Sequence, residues 1–390
     1  MKNAQITDLL LKEKKDTQEN KTYLQSQLIT YIGNKRSLLD FIGTTITFVQ
    51  KKLNREKISF FDVFSGSGIV SRYFKSTASE LYTNDLEDYA KIINECYLSN
   101  ENDRNMVELK NIYRNLKQNL DTAEQQNLWN YGIISKEYAP KNDYKIKKNE
   151  RVFYTPRNAH YIDTARYLIG NMPSKIQPFF LAPLLSEASI HANTAGVFKG
   201  FYKNKETGIG KYGGKKGDAI SRITGNIDLP FPVFSEYNCP VHILQGNAND
   251  IVKNVPLVDL AYLDPPYNQH PYGSNYFMLN IISNNSKHEH ISKVSGIPTD
   301  WNRSAYNNKK ASFLAFADLI ENLKAHFIAI SFNSEGFISL QKMKELLEKF
   351  GTVTILEADY NTFRGSRNLG ARNKHVTEYI YLLEKKYSII

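Results

Sequence analysis

The sequence predicts an α/β protein whose sheet is interrupted by one long insertion. Short apolar runs typical of buried strands alternate with helical patterns before residue 121 and again after residue 240. Between these two parts the alternation weakens, which indicates an inserted segment. Polar or glycine-rich residues directly follow several of the strands, and open parallel sheets bind ligands at that edge. We therefore expect an N-terminal arm, a first α/β part, an insertion and a second α/β part, over residues 1–22, 23–120, 121–240 and 241–390.

Length and composition narrow the class of protein. The chain has 390 residues, enough for one large or two ordinary domains, and its formal net charge of +10 favours a polyanion as partner. Two cysteines, Cys96 and Cys239, are too few for a disulfide framework or a zinc site. No apolar run reaches membrane-spanning length and the N-terminus lacks a signal-peptide core. We therefore expect a cytoplasmic protein without membrane association.

The first candidate ligand-binding segment is a turn that contains Tyr31, Gly33 and Lys35 and leads into a helical pattern over residues 38–49. A glycine-containing turn before a helix can bind an anion or the carboxylate of a ligand, and Lys35 adds positive charge. An ordinary loop with solvated lysines would have the same composition. This segment alone does not separate the two interpretations.

The first predicted strand, over residues 58–64, is followed by the turn Ser65-Gly66-Ser67-Gly68 and a helical run. This order is typical of a nucleotide-binding turn, because glycine lets a ligand approach the backbone closely. The pattern is incomplete, since Ser71 stands where a third glycine would be. The next strand ends at Asp85, 19 residues after Gly66, and this spacing suits a carboxylate that binds the hydroxyls of a ribose.

The insertion contains a basic, glycine-rich stretch, residues 199–225, with seven Lys or Arg, two acidic residues and seven glycines. So many glycines disfavour a packed core, and the positive charge favours contact with phosphates over a merely solvated loop. A second basic loop, residues 360–368, also contains aromatic residues. The residues that we expect to contact nucleic acid are Lys211, Lys215, Lys216, Arg222, Arg364 and Arg367.

The most informative stretch follows an apolar run over residues 258–263, which is typical of a buried strand. Pro265 and Pro266 end this strand, because neither has an N–H to donate and each fixes its own φ. The stretch can be a simple strand-terminating turn. It can also be a clamp for an exocyclic amine, in which the Asp264 carboxylate and the Pro265 carbonyl accept the amine's two hydrogens. The ring of Tyr267 would then stack on the attached base.

In this order the motifs resemble those of the adenine-specific N6 DNA methyltransferases, in their α arrangement and of the restriction-modification type. The resemblance covers about residues 27–100 and 241–385. It is carried by Tyr31-Ile32-Gly33-Asn34-Lys35, Asp62-Val63-Phe64-Ser65-Gly66-Ser67-Gly68, Asn84-Asp85 and Asp264-Pro265-Pro266-Tyr267, and less specifically by Phe332-Asn333-Ser334 and Phe363-Arg364. The insertion lies where this family keeps its target-recognition domain.

The resemblance implies S-adenosyl-L-methionine as cofactor and a Rossmann-like sheet of seven strands, one of them antiparallel near the C-terminus. It implies that Lys35 and Asp62 face the methionine end of the cofactor and that Asp85 binds the ribose. Asn247 takes the place of an acid that contacts the cofactor's adenine amine, with Asp250 as a rival. The full set of implied cofactor-binding residues is Tyr31, Gly33, Lys35, Asp62, Phe64, Gly66, Gly68, Asp85 and Asn247.

The implied activity is methyl transfer from S-adenosylmethionine to the N6 amine of an adenine flipped out of duplex DNA. Its catalytic residues would be Asp264, Pro265, Pro266 and Tyr267. Neither a covalent intermediate nor a metal ion is expected. A cognate restriction endonuclease can accompany such an enzyme as partner. The sequence leaves the oligomeric state and the recognition sequence open.

Three alternatives stay open from the sequence. Cytosine-N4 methylation uses a similar clamp, usually with Ser at the position of Asp264, so that Asp264 favours adenine. Methylation of RNA or of a protein amine is the second, and the basic insertion favours duplex DNA over it. The third is a DNA-binding protein that has lost activity, and the presence of Gly66, Gly68, Asp85 and Tyr267 argues against it.

Overall fold

The computed structural model describes residues 19–214, 217, 219–266, 269–333, 336–361 and 375–386. Its strands are β1 (Ile58–Asp62), β2 (Ala78–Asp85), β3 (Val241–Gln245), β4 (Val258–Leu263), β5 (Ala325–Asn333), β6 (Gly351–Asn361) and β7 (His375–Lys385). They form one sheet of seven strands in the spatial order β3-β2-β1-β4-β5-β7-β6. The pairs of β1 to β5 with one another are parallel, and β7 is antiparallel to both β5 and β6. The predicted fold class, including its antiparallel strand near the C-terminus, is confirmed.

Helices cover both faces of this sheet. They are α1 (Lys21–Gln25), α2 (Leu39–Leu53), α3 (Ile69–Phe74), α4 (Asp88–Tyr97), α5 (Met106–Gln125), α6 (Ile133–Glu137), α7 (Pro156–Gly170), α8 (Gln177–Ile190), α9 (Ile220–Thr224), α10 (Ala248–Ile251), α11 (Tyr272–Asn275), α12 (Phe277–Asn284), α13 (Ser312–Asn322) and α14 (Leu340–Leu347). The helices α3, α4 and α10 directly follow β1, β2 and β3. These connections are the βα units that the alternating pattern predicts.

Strand β4 shows why the central runs are apolar without alternation. All six of its residues are buried. Consecutive side chains of a strand point to opposite faces, so Leu260 and Tyr262 belong to one apolar cluster and Ala261 and Leu263 to the other. A parallel strand covered on both sides has no solvent face that would require polar residues. The chain leaves the sheet at Asp264, where the two prolines follow.

The insertion supplies helices to the described part of the molecule and no strand of the sheet. Its helix α8 packs on α4 and α7, and ten of its fourteen residues are buried. Tyr161 of α7 and Phe180 of α8 belong to the same apolar cluster as Phe60 of β1. The insertion therefore completes the core on one face of the sheet. The boundaries expected for the insertion, at residues 121 and 240, stay predictions.

The expectation that residues 199–225 do not pack is wrong in part. Phe201 and Ile223 are buried, and Lys203 forms an isolated antiparallel bridge with Gly210. A Cβ atom at Gly210 would lie 2.3 Å from the Val152 side chain. The missing side chain of this glycine thus lets the stretch lie directly on the body of the protein, an effect that composition alone does not reveal.

The segment that leads to Tyr31 is anchored by one buried arginine. Arg72 on α3 is 1% exposed, and its guanidinium donates to the carbonyls of Tyr23, Ser26 and Gln27. The same guanidinium lies 3.6 Å from the ring centroid of Tyr97. This contact fixes the approach of the chain to the first predicted ligand-binding turn.

Among the described helices, none has the length and apolar character needed to span a lipid bilayer.

Candidate active site

A cleft opens at the carboxyl ends of β1, β2 and β4. Neighbouring parallel strands end at the same edge of a sheet, so the loops that follow them build the walls together. Most predicted cofactor residues line this cleft, namely Tyr31, Gly33, Lys35, Asp62, Phe64, Gly66, Asp85 and Asn247. Asp264 and Pro266 line it as well. A concave site that combines aromatic side chains with a few converging polar groups is typical of small-ligand and cofactor sites.

Asp264 is held by an ion cluster at the end of β4. Its Oδ1 atom lies 3.1 Å from Lys35 Nζ, and the side chain of Asp264 is 20% exposed. Lys35 Nζ also donates to Oε1 of Glu378 on β7 at 2.9 Å. Burial raises the pKa of the Asp264 carboxyl to about 6, a shift that Lys35 opposes and Glu378 increases. The Lys35 ammonium, which was predicted to face the cofactor, is thus engaged by two carboxylates at the edge of the cleft.

Asp62 at the end of β1 offers an unpaired oxygen. The residue is 1% exposed, and its Oδ2 accepts from Ser71 Oγ at 2.6 Å. Its Oδ1 is buried without a hydrogen-bond partner among the described residues. Burial raises the pKa of this carboxyl to about 7, and the negative charge of Asp264 adds to the shift. Because an unpaired buried carboxylate oxygen is costly, this atom can take a hydrogen bond from a ligand group in the cleft.

Asp85 at the end of β2 holds the glycine turn in place. Its Oδ2 accepts from the Gly66 N–H at 2.8 Å, and its Oδ1 accepts from the Glu87 N–H at 3.0 Å. Burial raises the pKa of Asp85, while these backbone donors lower it. Each oxygen of a carboxylate can accept a further hydrogen bond. Asp85 can therefore bind hydroxyl groups of a ligand while it fixes the turn.

The two glycines of the turn have different roles. Gly66 lines the cleft at a φ of +50°, and a Cβ atom there would lie 2.9 Å from Cε1 of Tyr31. Gly68 has a φ of +72° and is the residue before α3, and a Cβ atom there would lie 2.7 Å from Oδ1 of Asn94. Gly68 is not among the residues that line the cleft. Gly68 therefore permits the turn and its close contact with Asn94 on α4, and the expected approach of the cofactor to Gly68 stays a prediction.

At the opposite end of the cleft, Asn247 rather than Asp250 is in position. Asn247 lines the cleft, although its side chain also caps α10 by accepting from the Asn249 N–H at 3.1 Å. Asp250 does not line the cleft. Phe64 and Tyr306 form an edge-to-face pair there, with ring centroids 5.2 Å apart. Such a pair gives an apolar wall that suits the face of a purine.

A stack of tyrosines closes the side of the cleft near Gly66. The ring of Tyr31 stacks on Tyr272 at 4.9 Å and on Tyr276 at 4.7 Å between centroids. The hydroxyl of Tyr276 accepts from the Ile32 N–H, and the hydroxyl of Tyr272 donates to the Ile32 carbonyl. These contacts tie the segment of Tyr31 and Lys35 to α11 and the start of α12, next to the strand end that carries Asp264.

A family model matches the part of the sequence that builds this cleft. The model of the D12 class N6 adenine-specific DNA methyltransferases matches residues 31–346. The chain belongs to this family. The match begins at the tyrosine of the first predicted motif and includes the ends of β1, β2 and β4, which carry the acidic residues of the cleft.

Individual relatives match along nearly the whole chain. The type II methyltransferase M.NlaIII of Neisseria lactamica is 29% identical over 368 residues, which are 92% of this chain and 100% of that protein. The type II methyltransferase M.CviAII of Paramecium bursaria Chlorella virus 1 is 26% identical over 363 residues, or 91% and 98% of the two chains. The type II methyltransferase M.FokI of Planomicrobium okeanokoites is 27% identical over 92% of this chain and 53% of that protein.

The family decides among the alternatives that the sequence left open. The chain is an adenine-specific DNA methyltransferase, as the resemblance implied, and the cytosine, RNA and inactive alternatives are set aside. Asp264 is the residue that had favoured adenine, and the structure places it in the cleft. Individual roles of the site residues remain predictions, and they are developed below from the geometry.

The residues that we expected to contact DNA divide into three groups. Lys211 is described and partly exposed. Lys215, Lys216, Arg364 and Arg367, like Tyr267 of the methyltransferase motif, lie outside the described residues. Arg222 has a different role in the structure, because its guanidinium donates to the carbonyls of Ile190, Ala192 and Thr194. These carbonyls lie at and after the end of α8, so Arg222 stabilises a helix end of the enzyme, and its expected contact with DNA stays a prediction.

The sequence analysis missed several residues of the cleft. They are Glu87, Tyr272, Asn302, Arg303 and Tyr306, to which Glu378 is added as a partner of Lys35. For Glu378 a signal was present, since an acidic residue stands inside the otherwise apolar and aromatic run of β7. Asn302, Arg303 and Tyr306 follow a polar stretch without periodicity, and nothing in their pattern distinguishes them from a surface loop.

Proposed function

We propose that this methyltransferase is a site-specific modification enzyme that uses S-adenosylmethionine and acts on an adenine flipped out of duplex DNA. The observation that carries the proposal is the arrangement at the strand ends. A clamped carboxylate, Asp264, lies in the same cleft as an unpaired buried carboxylate oxygen of Asp62 and the hydroxyl acceptor Asp85. Together these groups suit an amine-bearing base, an amino acid ammonium and a ribose.

The cofactor end of the cleft fits S-adenosylmethionine in its chemistry. Asp62 Oδ1 would bind the ammonium of the methionine, and Asp85 would bind the ribose hydroxyls. Gly66, whose missing side chain lets the Tyr31 ring lie close to the turn, would expose its backbone to the cofactor in the cleft. The wall of Phe64 and Tyr306 with Asn247 would receive the adenine. When bound, the cofactor would supply a sulfonium methyl group that an amine nitrogen can attack directly, with the neutral thioether as leaving group and one amine proton released.

The amine end of the cleft would orient the target. Asp264 and the carbonyl of Pro265 accept hydrogen bonds from the two hydrogens of the adenine N6 amine, which turns its lone pair toward the methyl group. Tyr267 would stack on the base. A paired adenine inside a duplex cannot reach these acceptors, so the base must leave the stack. Holding the two reactants near contact can contribute about 7–11 kcal/mol to lowering the barrier.

A restriction-modification role is supported by the relatives. M.NlaIII and M.CviAII are named type II methyltransferases, and both align over nearly their full length. We propose the same role for this enzyme, with a cognate restriction endonuclease as its partner in the cytoplasm. The net charge of +10 supports contact with the phosphates of duplex DNA.

The decisive experiment measures the product. The purified enzyme is incubated with tritiated S-adenosylmethionine and unmethylated genomic DNA, and the DNA is digested to nucleosides. We expect the label in N6-methyladenine, and sequencing of methylated bases in a host that expresses the enzyme should show one short motif. Label in N4-methylcytosine, or label incorporated into RNA alone, would contradict the proposal. The matched control is Asp264→Ala, which removes the amine acceptor while leaving the cofactor end intact.

A further inference from the structure

Glu378 is a buried acid that does not line the cleft and has no role in the scheme above. It lies on β7, the antiparallel strand, and is 2% exposed. Its Oε1 accepts from Lys35 Nζ at 2.9 Å and from Ser331 Oγ on β5 at 2.6 Å. Both donors are themselves buried. An acid in such a position is costly unless it is paired and hydrogen-bonded, and here it is both.

The contacts form a continuous chain from β7 to the site of methyl transfer. Ser331 donates to Glu378, Glu378 accepts from Lys35, and Lys35 lies 3.1 Å from Oδ1 of Asp264. The three strands that carry Ser331, Glu378 and Asp264 are rigid parts of one sheet. Lys35 lies in a turn, and a lysine side chain has four rotatable bonds. The Glu378 carboxylate, which also accepts from Ser331 on the neighbouring strand, therefore anchors this ammonium.

We propose that Glu378 is a positioning residue for methyl transfer, which anchors the Lys35 ammonium and thereby fixes the orientation of the Asp264 carboxylate. One oxygen of Asp264 is then committed to Lys35, and the rest of the carboxylate is presented to the cleft. The proposal rests on the role of Asp264 as acceptor of the target amine. It assigns to the sheet's antiparallel strand a part in catalysis that is transmitted through Lys35.

The charges around Asp264 give this proposal a signature in pH. The titratable and charged groups that act on Asp264 are Lys35, Glu378, Asp62 and Tyr262. Only an ionised Asp264 accepts hydrogen bonds with both oxygens, so methyl transfer should fall as the pH drops through its pKa. Glu378 raises the pKa of Asp264. Loss of the negative charge at residue 378 should therefore move the acid limb of the pH–rate profile, where kcat falls on the acidic side, to lower pH.

The test compares Glu378→Gln with Glu378→Asp in the full-length enzyme, with S-adenosylmethionine and DNA both saturating. Glu378→Gln keeps the shape and removes the charge. We expect kcat to fall roughly tenfold to a hundredfold, the cost of a reacting group misplaced by about 1 Å, and the acid limb to move down by roughly one pH unit. Glu378→Asp keeps the charge on a shorter side chain, so kcat should fall while the acid limb stays. The Kd of S-adenosylmethionine should change less than about twofold.

The matched control is Glu384→Gln on the same strand, where the side chain is 49% exposed and pairs with Lys52 at the surface. It should change neither kcat nor the acid limb. The proposal would be overturned if the wild type is active and Glu378→Gln has the same kcat and the same acid limb as the wild type. A lower melting temperature together with a lower kcat but an unmoved acid limb would overturn it as well, in favour of a structural role. A wild type that methylates no DNA would instead overturn the proposed function on which the inference rests.

Discussion

The two ends of the cleft are built by different kinds of interaction. At the cofactor end, Asp85 binds the backbone N–H groups of Gly66 and Glu87, and all of these residues lie within one βαβ unit. At the amine end, Lys35, Asp264 and Glu378 come from three distant parts of the chain and meet only through their side chains. Around Asp85 the first end is prearranged by local backbone structure. The second exists only after the whole sheet has formed.

This difference predicts that the two ends can be damaged separately. Substitutions at the cofactor end should change cofactor affinity, because the groups there contact the ground-state ligand. Substitutions at the amine end should change kcat, because the clamp acts on the reacting nitrogen. The variants below test this separation, from the largest expected effect to the smallest.

Asp264→Ala should abolish detectable methyl transfer and leave S-adenosylmethionine binding nearly unchanged. The alanine has no acceptor for the target amine, while Lys35 keeps Glu378 as a partner, so the buried ammonium is not left unpaired. Turnover by tritium transfer and cofactor Kd by calorimetry are the measurements. Asp250→Ala, an exposed acid outside the cleft, is the control and should remain active. Turnover of Asp264→Ala near that of the control would refute the clamp.

Asp85→Ala should weaken cofactor binding by about 1.5–3 kcal/mol, the range for hydrogen bonds to a charged group. The free energy of unfolding should fall too, because the N–H groups of Gly66 and Glu87 lose their acceptor. DNA binding without cofactor should stay nearly intact. Asp88→Ala is the matched control, since Asp88 pairs with Gln245 and Asn284 and does not line the cleft. An unchanged cofactor Kd in Asp85→Ala would exclude the ribose role.

The same difference explains how much the sequence could predict. The strand β4, the glycine turn and Asp85 follow from local patterns, and the structure places them as predicted. The pairing of Glu378 with Lys35 and the tyrosine stack could not be predicted, because a contact between residues 35 and 378 leaves no mark in local spacing. Arg222 illustrates a different limit of the sequence. Its charge suggested contact with phosphate, and in the fold its guanidinium binds three carbonyls of the protein itself. Charge in a sequence does not say whether the partner is external.

Asp62→Asn tests the pH dependence of the cofactor end. The Asp62 carboxyl has a pKa of about 7 in the folded protein against 3.8 for the free side chain. Without cofactor, the folded state therefore binds a proton that the unfolded chain does not, and stability falls as the pH rises through about 7. Cofactor binding shows the opposite trend, because an ionised Asp62 pairs with the ammonium. Affinity in the wild type should rise between about pH 6 and pH 8, and Asp62→Asn should bind about tenfold more weakly and with a shallower rise.

Calorimetry of both proteins at several pH values in that range decides the matter. Glu87 also lines the cleft and has a pKa raised to about 7 by burial, so its titration is present in both proteins and cancels in the comparison. The difference between the two curves then reports on Asp62 alone. If the two profiles have the same slope, Asp62 does not carry the charge that binds the ammonium, and another acid of the cleft must.

Gly68→Ala should have the smallest effect and gives the sharpest division within the glycine turn. An alanine at a φ of +72° is in the left-handed region, which costs about 1–2 kcal/mol, and its Cβ atom would press on Asn94 Oδ1. Asn94 donates to Ser65 Oγ at 2.8 Å, so this contact between the turn and α4 should weaken. We expect a fall in the free energy of unfolding of about that size, with the cofactor Kd changed less than about twofold.

Gly66→Ala is the matched variant. Gly66 also has a positive φ, but a Cβ atom at this position would enter the cleft against Tyr31. This variant should therefore lose both stability and cofactor affinity. Equal losses of affinity in the two variants would return Gly68 to the cofactor site, where the sequence had placed it.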